Sequence, residues 1–166
     1  MASEVSGRPR QVQLRTVDDT QAWGERLGAT LRAGDLLVLT GDLGAGKTTL
    51  TQGIAAGLGV RGPVTSPTFV IARVHPSLVG GPDLVHVDAY RLGGIAELDD
   101  LDLDATLEEA VTVVEWGRGV AEQLSEAYLE LTLRGYDTRT VDLVGHGSRW
   151  TQESAALLLD DLASVA

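Results

Sequence analysis

Strands alternating with helices, a glycine-rich loop after a buried strand, and a late pair of strands predict the fold class. The expectation is an α/β single-domain P-loop NTPase sandwich with a mixed, mainly parallel central sheet and a C-terminal β-hairpin. Three observations carry it. Leu36-Leu37-Val38-Leu39 is a continuous apolar run of strand length, as a strand covered on both faces requires. The stretch from Gly41 to Thr48 follows at once and fits G-x-x-x-x-G-K-[ST] at every position. Two further apolar runs end in acids, Leu84–Val87 before Asp88 and Val111–Val114 before Glu115.

The elements follow in order. Residues 1–9 are polar with Gly and Pro and read as a flexible tail; residues 10–166 read as one domain. Gln11–Leu14 alternates like a strand. Thr16-Val17-Asp18-Asp19 resembles a capping box and opens a helix to about Leu31, with Ala22, Trp23, Leu27 and Leu31 at helical spacing. Gly34 ends it. A helix from Lys47 to Leu58 stops at Gly59. Pro63 and Pro67 make the next segment a loop. Phe69–Val74 and Leu84–Val87 read as strands around a Gly/Pro turn, and the acidic stretch from Glu97 to Glu109 as partly helical. Val111–Val114 is a strand, with a helix around Val120–Leu124 after it. Tyr128–Leu133 and Thr140–Val144 form a hairpin around Asp137, and Gln152–Leu162 is a final helix.

Charge excludes several function classes. The chain carries 24 acidic against 13 basic residues, a formal net charge of -11, so it does not grip nucleic acid by its own charge. With no cysteine, disulfides, thiolate zinc sites and cysteine nucleophiles are out. No apolar run is long enough to span a bilayer and no signal peptide is visible, so the expected location is the cytoplasm. The acidic run reads as a solvated face.

Only one lysine is present, Lys47, and it falls inside the glycine-rich loop. The spacing has a physical basis. Gly41, Asp42, Leu43, Gly44, Ala45 and Gly46 form a turn whose backbone N–H groups point inward around phosphate oxygens. The helix opening at Lys47, with Thr48 and Thr49 in its first turn, adds its positive end. The ammonium reaches the β- and γ-phosphates, and the Thr48 hydroxyl is a ligand for Mg²⁺. Nucleoside triphosphate binding follows.

Asp88 and Glu115 complete the expected site, because ligands of open α/β sheets sit at the carboxyl ends of strands. One acid contacts the metal directly while the other acts through water or orients the attacking water; which does which stays open. Trp116 follows Glu115, and base stacking and ordinary packing are equal alternatives for its ring. Trp23 reads as core, and Trp150 as core or cover. His75 and His146 lack metal-ligand spacing and read as surface residues; His86 reads as packed in its strand rather than as a catalytic base.

The absence of asparagine removes the N-K-x-D base-reading motif of GTPases. A compact ATPase remains, with a P-loop small-molecule kinase as the competing reading and a non-hydrolysing nucleotide-sensing adaptor as a third. Four blocks now carry a resemblance: Gly-Asp-Leu-Gly-Ala-Gly-Lys-Thr-Thr at 41–49, Ser-Pro-Thr-Phe at 66–69, His-Val-Asp-Ala-Tyr-Arg-Leu at 86–92 and Val-Val-Glu-Trp at 113–116. In order and spacing they resemble the TsaE (YjeE) family across about residues 11 to 145.

The resemblance implies a bacterial ATPase needed to form threonylcarbamoyladenosine at position 37 of tRNAs reading codons that start with A. It implies ATP/ADP and Mg²⁺ as ligands, TsaD and TsaB as partners, and hydrolysis that is weak alone. By motif position it assigns residues 41–49 to the phosphates, Thr48 and Glu115 to the metal, Asp88 as the Walker B-like acid and Trp116 to the adenine. It makes Thr68 a sensing or water-positioning residue and gives Val17 and Arg139 as nucleotide contacts. One departure is Leu101-Asp102-Leu103-Asp104, acidic where family members often carry a Gly-Ile-Arg-Asp-like segment.

Overall fold

A computed structural model describes residues 10–41, 46–62, 72–88, 107–115, 125–135, 138–147 and 150. Its elements are β1 (Arg10–Leu14), α1 (Val17–Thr30), β2 (Leu36–Gly41), α2 (Lys47–Leu58), β3 (Ala72–His75), β4 (Leu84–Asp88), β5 (Val111–Glu115), β6 (Tyr128–Arg134) and β7 (Arg139–His146). The expected strands and both expected N-terminal helices are present, with described ends that agree or differ by one or two residues; residues 69–71, where the strand before the Gly/Pro turn was expected to begin, lie outside the described residues. The helices expected around 120–124 and 152–162, the segment 97–106 and the tail 1–9 lie outside the described residues. Residues 107–109 form a turn.

The seven strands make one sheet in the order β1-β7-β6-β2-β5-β4-β3. β2 lies between β5 and β6 and is parallel to both; β4 is parallel to β5. β7 runs antiparallel to β6 and to β1, and β3 antiparallel to β4. Five strands therefore point one way and only β3 and β7 the other, so the sheet is mixed and mainly parallel. The carboxyl ends of β2, β4 and β5 share one edge, where the phosphate loop begins.

Alternation within the strands sorts side chains between two cores. Leu37 and Leu39, Val111 and Val113, Leu129 and Leu131 face α1 and α2, joined by Trp23, Leu27, Leu50, Ile54 and Trp150. Leu36, Val38, Val85, Val87 and Val114 form a second cluster on the opposite face. Burial on both faces is why the sequence of β2 is apolar without alternation. Trp23 and Trp150 are both core residues.

α1 begins with a side-chain cap. The Thr16 hydroxyl accepts from the Asp19 N–H at 3.0 Å, and the Asp19 carboxylate accepts from the Arg15 N–H at 3.2 Å. The reciprocal bond thus reaches one residue before the cap rather than the cap itself. The α1–α2 contact rests on glycines that the helical periodicity does not reveal. Gly24 and Gly28 of α1 meet Gly53 and Gly57 of α2, each pair four residues apart. A Cβ on Gly28, Gly53 or Gly57 would overlap the facing carbonyl oxygens of Ile54, Gln21 and Glu25, and one on Gly24 would stand 2.8 Å from that of Leu50. Small residues at this spacing let two helix backbones approach closely, and that approach fixes where α2 starts over the sheet.

His75 corrects a reading. It is not a surface residue but is buried at 4 % exposure, its Nδ1–H donating to the Arg61 carbonyl at 3.2 Å. β3 lies at the sheet edge, yet the loop after it folds back over the end of α2 and covers the ring's surroundings: the Arg61 N–H donates to the Pro76 carbonyl and the Leu78 N–H to the Gly59 carbonyl. His146 is half-exposed, stacked on Tyr128 with ring centroids 4.3 Å apart, its Nε2 3.1 Å from Glu130 Oε1.

Candidate functional site

The site is assembled where β2 hands over to α2. β2 ends at Gly41 and α2 starts at Lys47, with Gly46 as its N-cap at φ 103°. That left-handed conformation favours glycine, and Gly46 offers no side chain to cap the helix. The first turn of α2 also lacks an acid. Its N–H groups and the positive end of its dipole are therefore not neutralised by carboxylates of that turn.

Lys47 is buried at 6 % exposure. Its Nζ donates to the Gly41 carbonyl at 2.7 Å, which folds the side chain back over the strand end. The Thr51 hydroxyl donates to the Lys47 carbonyl at 2.9 Å, tightening the same turn. Thr48 and Thr49 are partly exposed beside it. Arg139, at the start of β7, lies across Gly46: a Cβ there would stand 3.2 Å from Arg139 Nε, and Arg139 Nη1 donates to the Gly135 carbonyl at 3.1 Å.

On the neighbouring strands, Asp88 and Glu115 are register partners at the ends of β4 and β5. Both continue the residue parity of Leu84 and of Val111 and Val113, so their side chains emerge on the α2 face of the sheet. Both are buried. His86 shares that parity two residues before Asp88. It is fully buried, with Nε2 2.5 Å from Glu115 Oε2.

The donor set fits a hard divalent cation. Thr48 offers a hydroxyl, and Asp88 and Glu115 offer carboxylates, all oxygen ligands. Among the described residues, no group of three or more His, Cys, Asp or Glu could hold a metal.

Of the expected site residues, the structure brings Gly41, Gly46, Lys47, Thr48, Thr49 and Arg139 to the start of α2, and Asp88 and Glu115 to adjoining strand ends. Val17 is the first residue of α1 and 59 % exposed. Asp42, Leu43, Gly44, Ala45, Thr68 and Trp116 lie outside the described residues. The contact that sequence reasoning did not assign is His86 to Glu115. The available signal was a lone titratable residue in an otherwise apolar strand, two positions before an acid and hence on the same face.

A family model described as threonylcarbamoyl adenosine biosynthesis protein TsaE matches residues 14–141. The chain is 57 % identical to the tRNA threonylcarbamoyladenosine biosynthesis protein TsaE of Streptomyces coelicolor over 142 residues, 81 % of this chain and 96 % of that protein. It is 38 % identical to the protein of that name from Bacillus subtilis over 146 residues, 85 % of this chain and 90 % of that one. The crystal structure of Bacillus subtilis YdiB superposes with a TM-score of 0.70 at 32 % identity, covering 96 % of this chain and 98 % of that one.

Proposed function

The chain belongs to the TsaE family of threonylcarbamoyladenosine biosynthesis proteins, and from that premise we propose that it is the ATPase subunit of the tRNA-modifying machinery, hydrolysing Mg-ATP to support turnover of a TsaB–TsaD complex. The observation that carries this reading is the pairing of a buried Lys47, held against the strand end of β2, with an α2 N-terminus that has neither a side-chain cap nor an acidic first turn. Together they form an anion cradle, and the adjacent carboxylates of Asp88 and Glu115 are set to oppose a cation beside it.

In this mechanism the residues mainly position charge. The first-turn N–H groups of α2 and the Lys47 ammonium bind the phosphates and stabilise the negative charge that develops as the β–γ bond breaks. Arg139, lying over Gly46, adds a second cation on the β7 side. Mg²⁺, held by Thr48, Glu115 and Asp88, would neutralise the β- and γ-phosphate oxygens. By the family resemblance, Thr68 would orient the water that attacks the γ-phosphorus, giving ADP and inorganic phosphate, and Trp116 would lie against the adenine. With a net charge of -11, the chain leaves RNA binding to its partners.

The test is ATP turnover by the chain alone and with TsaB and TsaD, measured as phosphate release. Low activity alone and a clear rise with both partners is the expected result. Full activity alone, unchanged by partners, rejects the helper role. Labelled phosphate transferred to a small molecule without any partner protein would establish the kinase reading instead.

A further inference from the structure

His86 has no role in the proposed hydrolysis. Its position is nonetheless unusual for an imidazole. It is fully buried in β4, between Val85 and Val87, at a site where an apolar side chain would be the ordinary choice. Its Nε2 stands 2.5 Å from Glu115 Oε2, one strand away. The other ring nitrogen, Nδ1, is buried without a hydrogen-bond partner among the described residues. A ring nitrogen left unpaired in the interior is unfavourable, so the bond on the far side of the ring has to offset that cost.

We propose that His86 is a positioning residue for Glu115: the Nε2–H donated to Oε2 fixes the carboxylate's rotamer and leaves Oε1 for the metal. The inference rests on the reading of Glu115 as a metal ligand. A carboxylate on a flexible stem has several rotamers, and choosing one before the ligand arrives removes an ordering cost from binding. A hydrogen bond from a fully buried ring on the adjoining strand does this without exposing either group. Glu115 is oriented from the side, and its in-register neighbour Asp88 is separated from His86 by a single residue on the same face.

The test compares His86→Leu with His86→Gln, because glutamine keeps a donor at similar reach and leucine keeps only volume. ADP affinity is measured in EDTA and across a Mg²⁺ titration. In wild type, Mg²⁺ should strengthen binding. In His86→Leu, the EDTA affinity should be unchanged while the Mg²⁺ concentration needed for half the effect rises about tenfold, the usual cost of removing a partner behind a metal ligand. His86→Gln should restore it to within about threefold. Equal Mg²⁺ response in wild type and His86→Leu overturns the positioning role. Equal impairment of both variants overturns it too, since packing alone would be at stake. If wild type itself shows no Mg²⁺ response, the metal reading of Glu115 falls and this inference with it. Should neither variant fold, nitrogen NMR of the wild-type chain decides: an imidazole protonated at Nε2 and bare at Nδ1 supports the bond, and the opposite tautomer excludes it.

Discussion

The two ends of α2 are built on opposite principles. At its C-terminus the chain satisfies itself. Gly59, at φ 76°, donates its N–H to the Ala55 and Ala56 carbonyls, the Val79 side chain packs over it, and the following residues bond to the loop after β3. At its N-terminus Gly46 supplies no cap, the first turn carries no acid, and the helix opens with a buried lysine. α1 shows that the difference is not general to this fold, since it begins with a threonine cap and two acids in its first turn. One end of α2 is thus an anchor, and the other is the end at which the proposed function seats an external anion.

The largest test of that contrast is Lys47→Met. Methionine keeps the unbranched stem and removes the charge. ATP affinity should fall by roughly 10- to 100-fold, as losing a charge-assisted hydrogen bond of about 1.5–3 kcal/mol implies. Thermal stability should hold or rise, because an ammonium is costly to bury and an apolar chain is not. Calorimetric ATP titration and a melting curve read the two effects separately. A collapse of the fold with Lys47→Met would make the N-terminal end another anchor and erase the distinction.

The middle of α2 links the ends, and Gly53→Ala addresses it. Helix propensity alone favours alanine by about 1 kcal/mol. The close approach of the Gln21 carbonyl says the reverse. Destabilisation of about 1–3 kcal/mol is expected from overpacking, a fall in melting temperature of roughly 2–10 °C for a chain of this size. ATP affinity should weaken with it, since pushing α2 away from α1 moves Lys47. A stabilised Gly53→Ala protein would show that the seam does not hold the site.

How much of this was legible in the sequence depends on whether the deciding interaction is local. The junction from Gly41 at the end of β2 to Lys47 at the start of α2, both N-terminal helices and the strands β2, β4 and β5 were readable, because glycine spacing, capping and apolar runs act within a few residues. Asp88 and Glu115 were readable for the same reason, as acids closing apolar runs. The glycine seam was not: Gly24, Gly28, Gly53 and Gly57 each look like weak points within a helix until the second helix is laid on the first. The His86–Glu115 bond and the burial of His75 were hidden likewise, since both depend on which strand lies beside which. β5 precedes β4 in the sheet order although it follows β4 in the chain, and no local pattern states that order.

The smallest effect concerns the anchored end, where His75 bonds to Arg61 just beyond α2. Burial lowers the His75 pKa below its usual 6.5; its bond to the Arg61 carbonyl opposes this, and the Arg73 charge reinforces the lowering. The native state therefore holds a neutral ring over a range in which the unfolded chain binds a proton. In that range stability rises with pH, so this contribution is complete above about 6.5 and is lost as pH falls through the lower native value. His75→Asn keeps a donor toward Arg61 and removes the titration. The melting-temperature gap between wild type and His75→Asn should narrow steadily from pH 7.5 to pH 5, while Mg²⁺-ADP affinity at pH 7.5 stays the same in both. A gap independent of pH would mean that the ring is not held neutral. A change in ADP affinity would mean that the anchored end of α2 reaches the ligand after all.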